Sequence, residues 1–91
     1  MPQRTVTIVN RKGLHARSSA KLVALAKELP CKVEIHHSDK IADCNSMMAL
    51  MMLAAGLGSE VCVQAEGDGS DEALNAVCQL IEAGFDELNE E

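Results

Sequence analysis

Two residues of the segment 13–20, GLHARSSA, could do chemistry together. His15 directly precedes a helical pattern, and Arg17 follows it by two positions. Ser, Thr, Asp or Asn cap a helix start better than His does, so stability alone does not account for the imidazole. If the helix begins at Ala16, the free amides of its first turn point back at the His15 side chain. With the helix dipole they make an anion site. Arg17 adds a guanidinium whose donors match phosphate oxygens. A neutral imidazole keeps a nucleophilic nitrogen near pH 7 and can act as a covalent nucleophile. Set where a phosphate would be held, it could accept a phosphoryl group, because that transfer asks mainly for positioning and charge stabilisation. Gly13 lets the backbone turn tightly into such a site. On spacing alone, His-x-Arg is a weak signal, and an incidental exposed histidine beside a helix is the better-favoured reading.

The elements that must position these residues follow from hydrophobic periodicity. Residues 5–9 alternate around Val6 and Ile8, which suits a strand ended by Gly13. From Ala16 onward, Leu22, Val23, Leu25, Ala26 and Leu29 fall at helical spacing, with Lys21, Lys27 and Glu28 outward and Pro30 as the stop. Residues 31–37 alternate again, and Ser38-Asp39 suits a hairpin turn into a short strand through Ile41. Asn45 or Ser46 can cap a second helix, MMALMMLAA, that ends at Gly56 or Gly58. A strand over 59–66 alternates through Val61, Val63 and Ala65. Gly67-Asp68-Gly69 then turns the chain. Ser70 is expected to cap a last helix with the stripe Leu74, Val77, Ile81, Phe85 and Leu88. The order β-α-β-β-α-β-α, with strands apolar on one face, predicts a two-layer α+β sandwich whose sheet is covered on one side only. Connections alone leave the strand order open.

Composition narrows the function. A chain of 91 residues reads as one domain, 1–91, with one modest core. Phe85 is its single aromatic residue, so the core is aliphatic, and stacking on single-stranded nucleic acid is disfavoured. The net charge of −6 opposes nucleic-acid binding in general. Locally, however, Arg11, Lys12, Arg17 and Lys21 gather near His15 while acids crowd residues 82–91, which read as a solvated helix face and frayed end. Cys31, Cys44, Cys62 and Cys78 form no CxxC, and no secretory signal precedes them, so a cytoplasmic protein with reduced thiols acting as small hydrophobes is expected. The longest apolar run, 47–55, is too short to cross a membrane.

Two further clusters carry readings. Met47, Met48, Leu50, Met51, Met52 and Leu53 make the second helix apolar nearly all round. We expect about half of this surface in the core and half as a docking face, since Met-rich surfaces adapt to several partners. His36 and His37 lie near Asp39, Asp43 and Cys44, but adjacent strand residues point to opposite faces and no zinc spacing is present, so no metal site is expected.

GLHAR opening the first helix, with NSMMALMMLAAG some thirty residues later, resembles the histidine-containing phosphocarrier (HPr) family of the bacterial phosphoenolpyruvate-dependent phosphotransferase system. The likeness runs from about Thr5 to Leu88. It implies an open-faced β-sandwich: a four-stranded antiparallel sheet with three helices on one face. It implies that His15 is phosphorylated on Nδ1, that Arg17 attends the phosphate together with the helix start at Ala16 and Ser18, and that no cofactor is needed. It implies that Ser46 matches a regulatory serine phosphorylated in some bacteria by an HPr kinase/phosphorylase. Phosphate at a helix N-cap favours the helix yet adds charge beside a docking surface; simple capping is the plainer role. Enzyme I and a IIA-type protein are the implied partners of a monomer, docking on the start of the first helix and on the second, the latter through Met47, Met48 and Met51. Ser18 departs from the family, which usually has proline there. It restores an N–H and adds a hydroxyl that could give the phosphate one more donor.

The expected function is therefore a covalent phosphoryl relay rather than a stand-alone enzyme. The alternatives are a regulatory module of the same fold, switched by phosphorylation of His15 or Ser46, and a small metal- or ligand-binding domain. NSMMALMML and AGFDEL are similar to the nitrogen-related branch of the family, while the residues themselves leave the sugar and nitrogen branches open.

Overall fold

A computed structural model describes residues 2–86; Leu88 and the acidic residues beyond Asp86 lie outside the described residues. Strands β1 (Gln3–Thr7), β2 (Lys32–His37), β3 (Lys40–Asp43) and β4 (Glu60–Glu66) and helices α1 (Ala16–Lys27), α2 (Met47–Met52) and α3 (Ser70–Glu82) follow in the expected order. A short 3₁₀ turn, Gly84–Asp86, closes the described chain.

The sheet is antiparallel throughout, in the order β1-β4-β2-β3. Alternation decides its faces. Val6, Val33, Ile35, Ala42, Val61, Val63 and Ala65 point to the helices and are buried. The pairings Thr5↔Cys62, Cys62↔His36 and His36↔Ile41 lay one row across the opposite, uncovered face. Helix α3 lies along β4, β1 and β2, α2 rests on β3, and α1 packs against α2 and α3. All three helices thus cover one face, closing an aliphatic core around Leu22, Leu50, Val77, Ile81 and the fully buried Phe85.

Five local expectations are corrected. Helix α2 ends at Met52 rather than running through Ala55, because Ala54 takes a left-handed conformation (φ 54°) that turns the chain away. The N-cap of α3 is Gly69, at φ 79°, with no side-chain cap; Ser70 is already helical, and Asp71 and Glu72 complement the dipole instead. Phe85 lies beyond α3, in the 3₁₀ turn, yet still fills the core. Lys21 is half-buried rather than outward, its Nζ donating to the Phe85 carbonyl. The helix α1 stops at Lys27 with Glu28 as C-cap, two residues short of Leu29. The hairpin turn at Ser38-Asp39 forms as expected, with Ser38 at φ 57° and His37 paired to Lys40.

Candidate functional site

The site is built by the loop from β1 to α1. His15 is the N-cap of α1, with an extended backbone (φ −118°, ψ −171°). Its Nδ1 accepts the Arg17 N–H at 3.3 Å. A capping box completes the start: the imidazole also takes the Ser18 N–H, while the Ser18 hydroxyl takes the His15 N–H at 2.9 Å. The imidazole therefore occupies the place usually held by a Ser or Asp oxygen. An Nδ1 that accepts leaves the proton of the neutral ring on Nε2. Its lone pair faces the positive end of a twelve-residue helix.

The loop behind His15 is held rigidly. Gly13, at φ 65°, sits against the Ala55 carbonyl, which accepts the Leu14 N–H at 2.9 Å. Leu14 is buried and anchors the turn in the core. Ile8 exchanges backbone bonds with Ser59 and Gly58, so the two loops flanking the site are stitched together. Around this frame His15 is half-buried, while Ala16, Arg17, Arg11 and Lys12 are exposed. A bound phosphate would meet main-chain N–H groups and positive charge there.

The structure brings Ala16, Arg17 and Ser18 to the helix start as read from the sequence, with one difference. The Ser18 hydroxyl is turned inward and fully buried, where it bonds the Gly13 carbonyl at 2.9 Å. It is committed to the loop and is not presented to a phosphate. Asn10, which the sequence reading passed over, is also fully buried, and its Nδ2 donates to the same Gly13 carbonyl at 2.9 Å. A polar residue in a loop carries no sequence signal of burial.

Helix α2 divides cleanly. Leu50 and Leu53 enter the core, and all four methionines face out: Met47 38%, Met48 72%, Met51 40% and Met52 67% exposed. Met52 belongs with the three methionines read as docking residues, and beside it Ile41 is exposed, so the two border a shallow groove with Lys40, Ala49 and Leu53. Ser46 is the N-cap, its Oγ accepting the Ala49 N–H at 3.2 Å. His36 and His37 point to opposite faces. His36 approaches Glu34 on the open face, whereas His37 Nδ1 meets the Leu53 carbonyl at 2.9 Å. Among the described residues no three His, Cys, Asp or Glu side chains converge as a metal site would require. All four cysteines are free thiols; Cys44 and Cys78 are buried, and burial pushes the Cys44 thiol up to about 12. Among the described residues no helix is long and apolar enough to cross a membrane.

A one-sided antiparallel sheet of four strands that sets a histidine at the head of its first helix is the build of a histidine phosphocarrier. The chain belongs to the HPr family: residues 2–83 match the family described as the PTS HPr component phosphorylation site. It is 47% identical to the phosphocarrier protein HPr of Pseudomonas aeruginosa over 96% of this chain and 98% of that protein. It is 41% identical to the phosphocarrier protein NPr of Shewanella violacea over 96% of each. The crystal structure of HPr-C-His from Thermoanaerobacter tengcongensis superimposes with a TM-score of 0.90 at 36% identity, covering 96% of this chain and 98% of that one. The chain is a phosphocarrier of the phosphotransferase system.

Proposed function

We propose that His15 is the phosphoryl acceptor, through Nδ1, and that the first turn of α1 with Arg17 holds the transferred group. The observation that carries this reading is the Nδ1 lone pair facing the Arg17 N–H at the helix start. In the forward step Nδ1 attacks the phosphorus of a phosphorylated donor, and the donor's bond to phosphorus breaks as the new N–P bond forms. The phosphoryl oxygens then take over the Arg17 and Ser18 amides that reach the ring, with the Ala16 amide beside them at the helix start. The Arg17 guanidinium neutralises the added charge. Attack by an acceptor's nucleophile reverses the sequence and returns His15 unchanged, so the protein is a relay with no turnover of its own.

Family membership implies Enzyme I as donor and a IIA-type protein as acceptor. The exposed methionines Met47, Met48 and Met51, with Met52, supply an adaptable docking face beside the site. We take the carrier to be monomeric and cytoplasmic. Ser46 is read as a second phosphorylation site for an HPr kinase/phosphorylase, because a phosphate at this N-cap would put charge beside that apolar face.

Incubation with phosphoenolpyruvate and cognate Enzyme I, followed by intact-mass measurement, tests the reading. One acid-labile phosphoryl group is expected on the native chain and none on His15→Ala. Retention of the group by His15→Ala would move the acceptor elsewhere.

A further inference from the structure

The carbonyl of Gly13 receives two buried side-chain donors, Asn10 Nδ2 and Ser18 Oγ, each at 2.9 Å. Both residues are 0% exposed. The Ser18 hydroxyl has a single hydrogen. With it directed at Gly13, its lone pair is free to accept the His15 N–H, also at 2.9 Å. One hydroxyl thus ties the residue two places before the nucleophile to the nucleophile's own amide. The Ser18 N–H in turn reaches the imidazole, so a single residue holds both the backbone and the ring of His15.

The third helical position of a capping box is usually Glu or Gln. A glutamate there would place a carboxylate beside the group meant to receive a phosphate, and its charge would oppose the incoming one. Serine supplies the same acceptor without the charge. Proline at this position would supply neither the N–H nor the hydroxyl. Asn10 completes the arrangement from the other side: its own carbonyl accepts the Gly13 N–H at 3.1 Å while its side chain bonds the Gly13 carbonyl. The turn 10–13 is thereby closed at both ends before the chain reaches His15.

We propose that Ser18 and Asn10 are positioning residues for phosphoryl transfer: they clamp the Gly13 carbonyl and the His15 amide so that Nδ1 is aimed at the α1 amides. Neither touches the phosphate through its side chain. The proposal rests on the reading of His15 as acceptor.

The test compares Ser18→Ala, Ser18→Thr and Asn10→Ala with the native chain. Each is assayed as the substrate of phosphorylated Enzyme I, with kcat and KM determined separately, and each is examined by ring-nitrogen NMR of His15. Ser18→Ala is expected to lower kcat at least 5-fold with KM within 2-fold, because the docking face is untouched. Ser18→Thr keeps the hydroxyl and is expected to restore most of the rate. The Nδ1 resonance of Ser18→Ala should move toward that of a ring without the helix-amide bonds. A native kcat together with a native Nδ1 resonance in both Ser18→Ala and Asn10→Ala would overturn the proposal. So would a loss of rate in Ser18→Ala that Ser18→Thr fails to restore. If Ser18→Ala does not fold, Ser18→Cys, similar in size but a weak hydrogen-bonding partner, carries the same comparison. If the native chain is not phosphorylated on His15, the acceptor reading fails on its own, and the NMR comparison still decides whether Ser18 and Asn10 aim the ring.

Discussion

The Leu14 amide donates to the Ala55 carbonyl at 2.9 Å, tying the loop that carries His15 to the loop that follows α2. Gly13 makes this contact possible. A Cβ on Gly13 would overlap the Ala55 carbonyl oxygen and the Gly56 Cα, both backbone atoms with little freedom to retreat. Its φ of 65° adds the usual penalty of a left-handed residue with a side chain. Gly13→Ala is therefore expected to cost about 1–3 kcal/mol from conformation alone, with the overlap adding to it. Urea unfolding measures the loss. A change below about 0.5 kcal/mol would mean that the two loops part easily and that the stitch does not hold His15.

Ser46 offers a second check, on α2. Helix α2 has only six residues and cannot persist on its own propensity. Its start depends on the Ser46 oxygen accepting the Ala49 N–H. Ser46→Ala is expected to cost ~1 kcal/mol, the ordinary value of such a cap. Ser46→Asp should fold as well as the native chain, since aspartate caps equally well and suits the dipole. Any effect of Ser46→Asp on transfer from Enzyme I then reports charge at the docking face and not lost structure. Equal destabilisation by the two substitutions would exclude the cap as the source.

Cys44 ties stability to pH. Its thiol is pushed up from 9.0 to about 12, first by burial and then by Asp43 and Glu34. The folded chain therefore keeps this proton after the unfolded chain has lost it. The contribution is fully present below about pH 9 and falls as pH rises toward 12. At pH 10.5 it amounts to about 2 kcal/mol of lost stability from this one group, at 1.36 kcal/mol per pH unit. Cys78 acts in the same direction, also through burial, against a partial opposing effect of Arg4. The expected result is that the stability gap between the native chain and Cys44→Ala narrows by about 2 kcal/mol between pH 8 and 10.5, as urea unfolding would measure. Parallel stability curves would show that Cys44 titrates near its ordinary value.

The order of elements and the faces of the strands were legible because alternation is a local signal: Val33 and Ile35, or Val61 and Val63, declare their face by spacing. The strand order β1-β4-β2-β3 was not, since nothing in the connections says that β4 enters between β1 and β2. The resemblance carried by GLHAR supplied the four-stranded frame. Of the two cap candidates, Asn45 and Ser46, the structure uses Ser46, whose partner is three residues away. Ser70 did not, because the left-handed Gly69 starts α3 one residue earlier. The end of α2 depends on the left-handed Ala54, which no local pattern reveals. Within the site, the types and spacing of His15 and Arg17 raised a phosphate-accepting reading, and the resemblance carried by GLHAR gave it its weight. The inward turn of the Ser18 hydroxyl could not, because it depends on where the Gly13 carbonyl and the buried Asn10 come to rest.

The far end of α2 gives the last test. The Leu50 and Met51 carbonyls accept from Leu53 and Ala54, and the β2–β3 hairpin supplies donors to the two carbonyls that follow. His37 Nδ1 meets the Leu53 carbonyl at 2.9 Å, and Lys40 Nζ reaches the Met52 carbonyl at 3.3 Å. Basic side chains suit the negative end of a helix. His37→Ala removes the shorter of these bonds and is expected to cost ~1 kcal/mol, the net value of an ordinary hydrogen bond. The local effect should exceed the global one. Hydrogen exchange at Leu50 and Leu53 should accelerate while exchange in β4 stays near native, because the lost bond serves the end of α2 whereas β4 is held between β1 and β2. With the methionine face loosened, the KM for phosphorylated Enzyme I should rise and kcat should hold, since the His15 loop is fastened through Ala55 and Ser18 and not through His37. A fall in kcat at constant KM would show instead that the hairpin bears on the chemistry at His15, and the separation drawn between docking helix and nucleophile loop would fail.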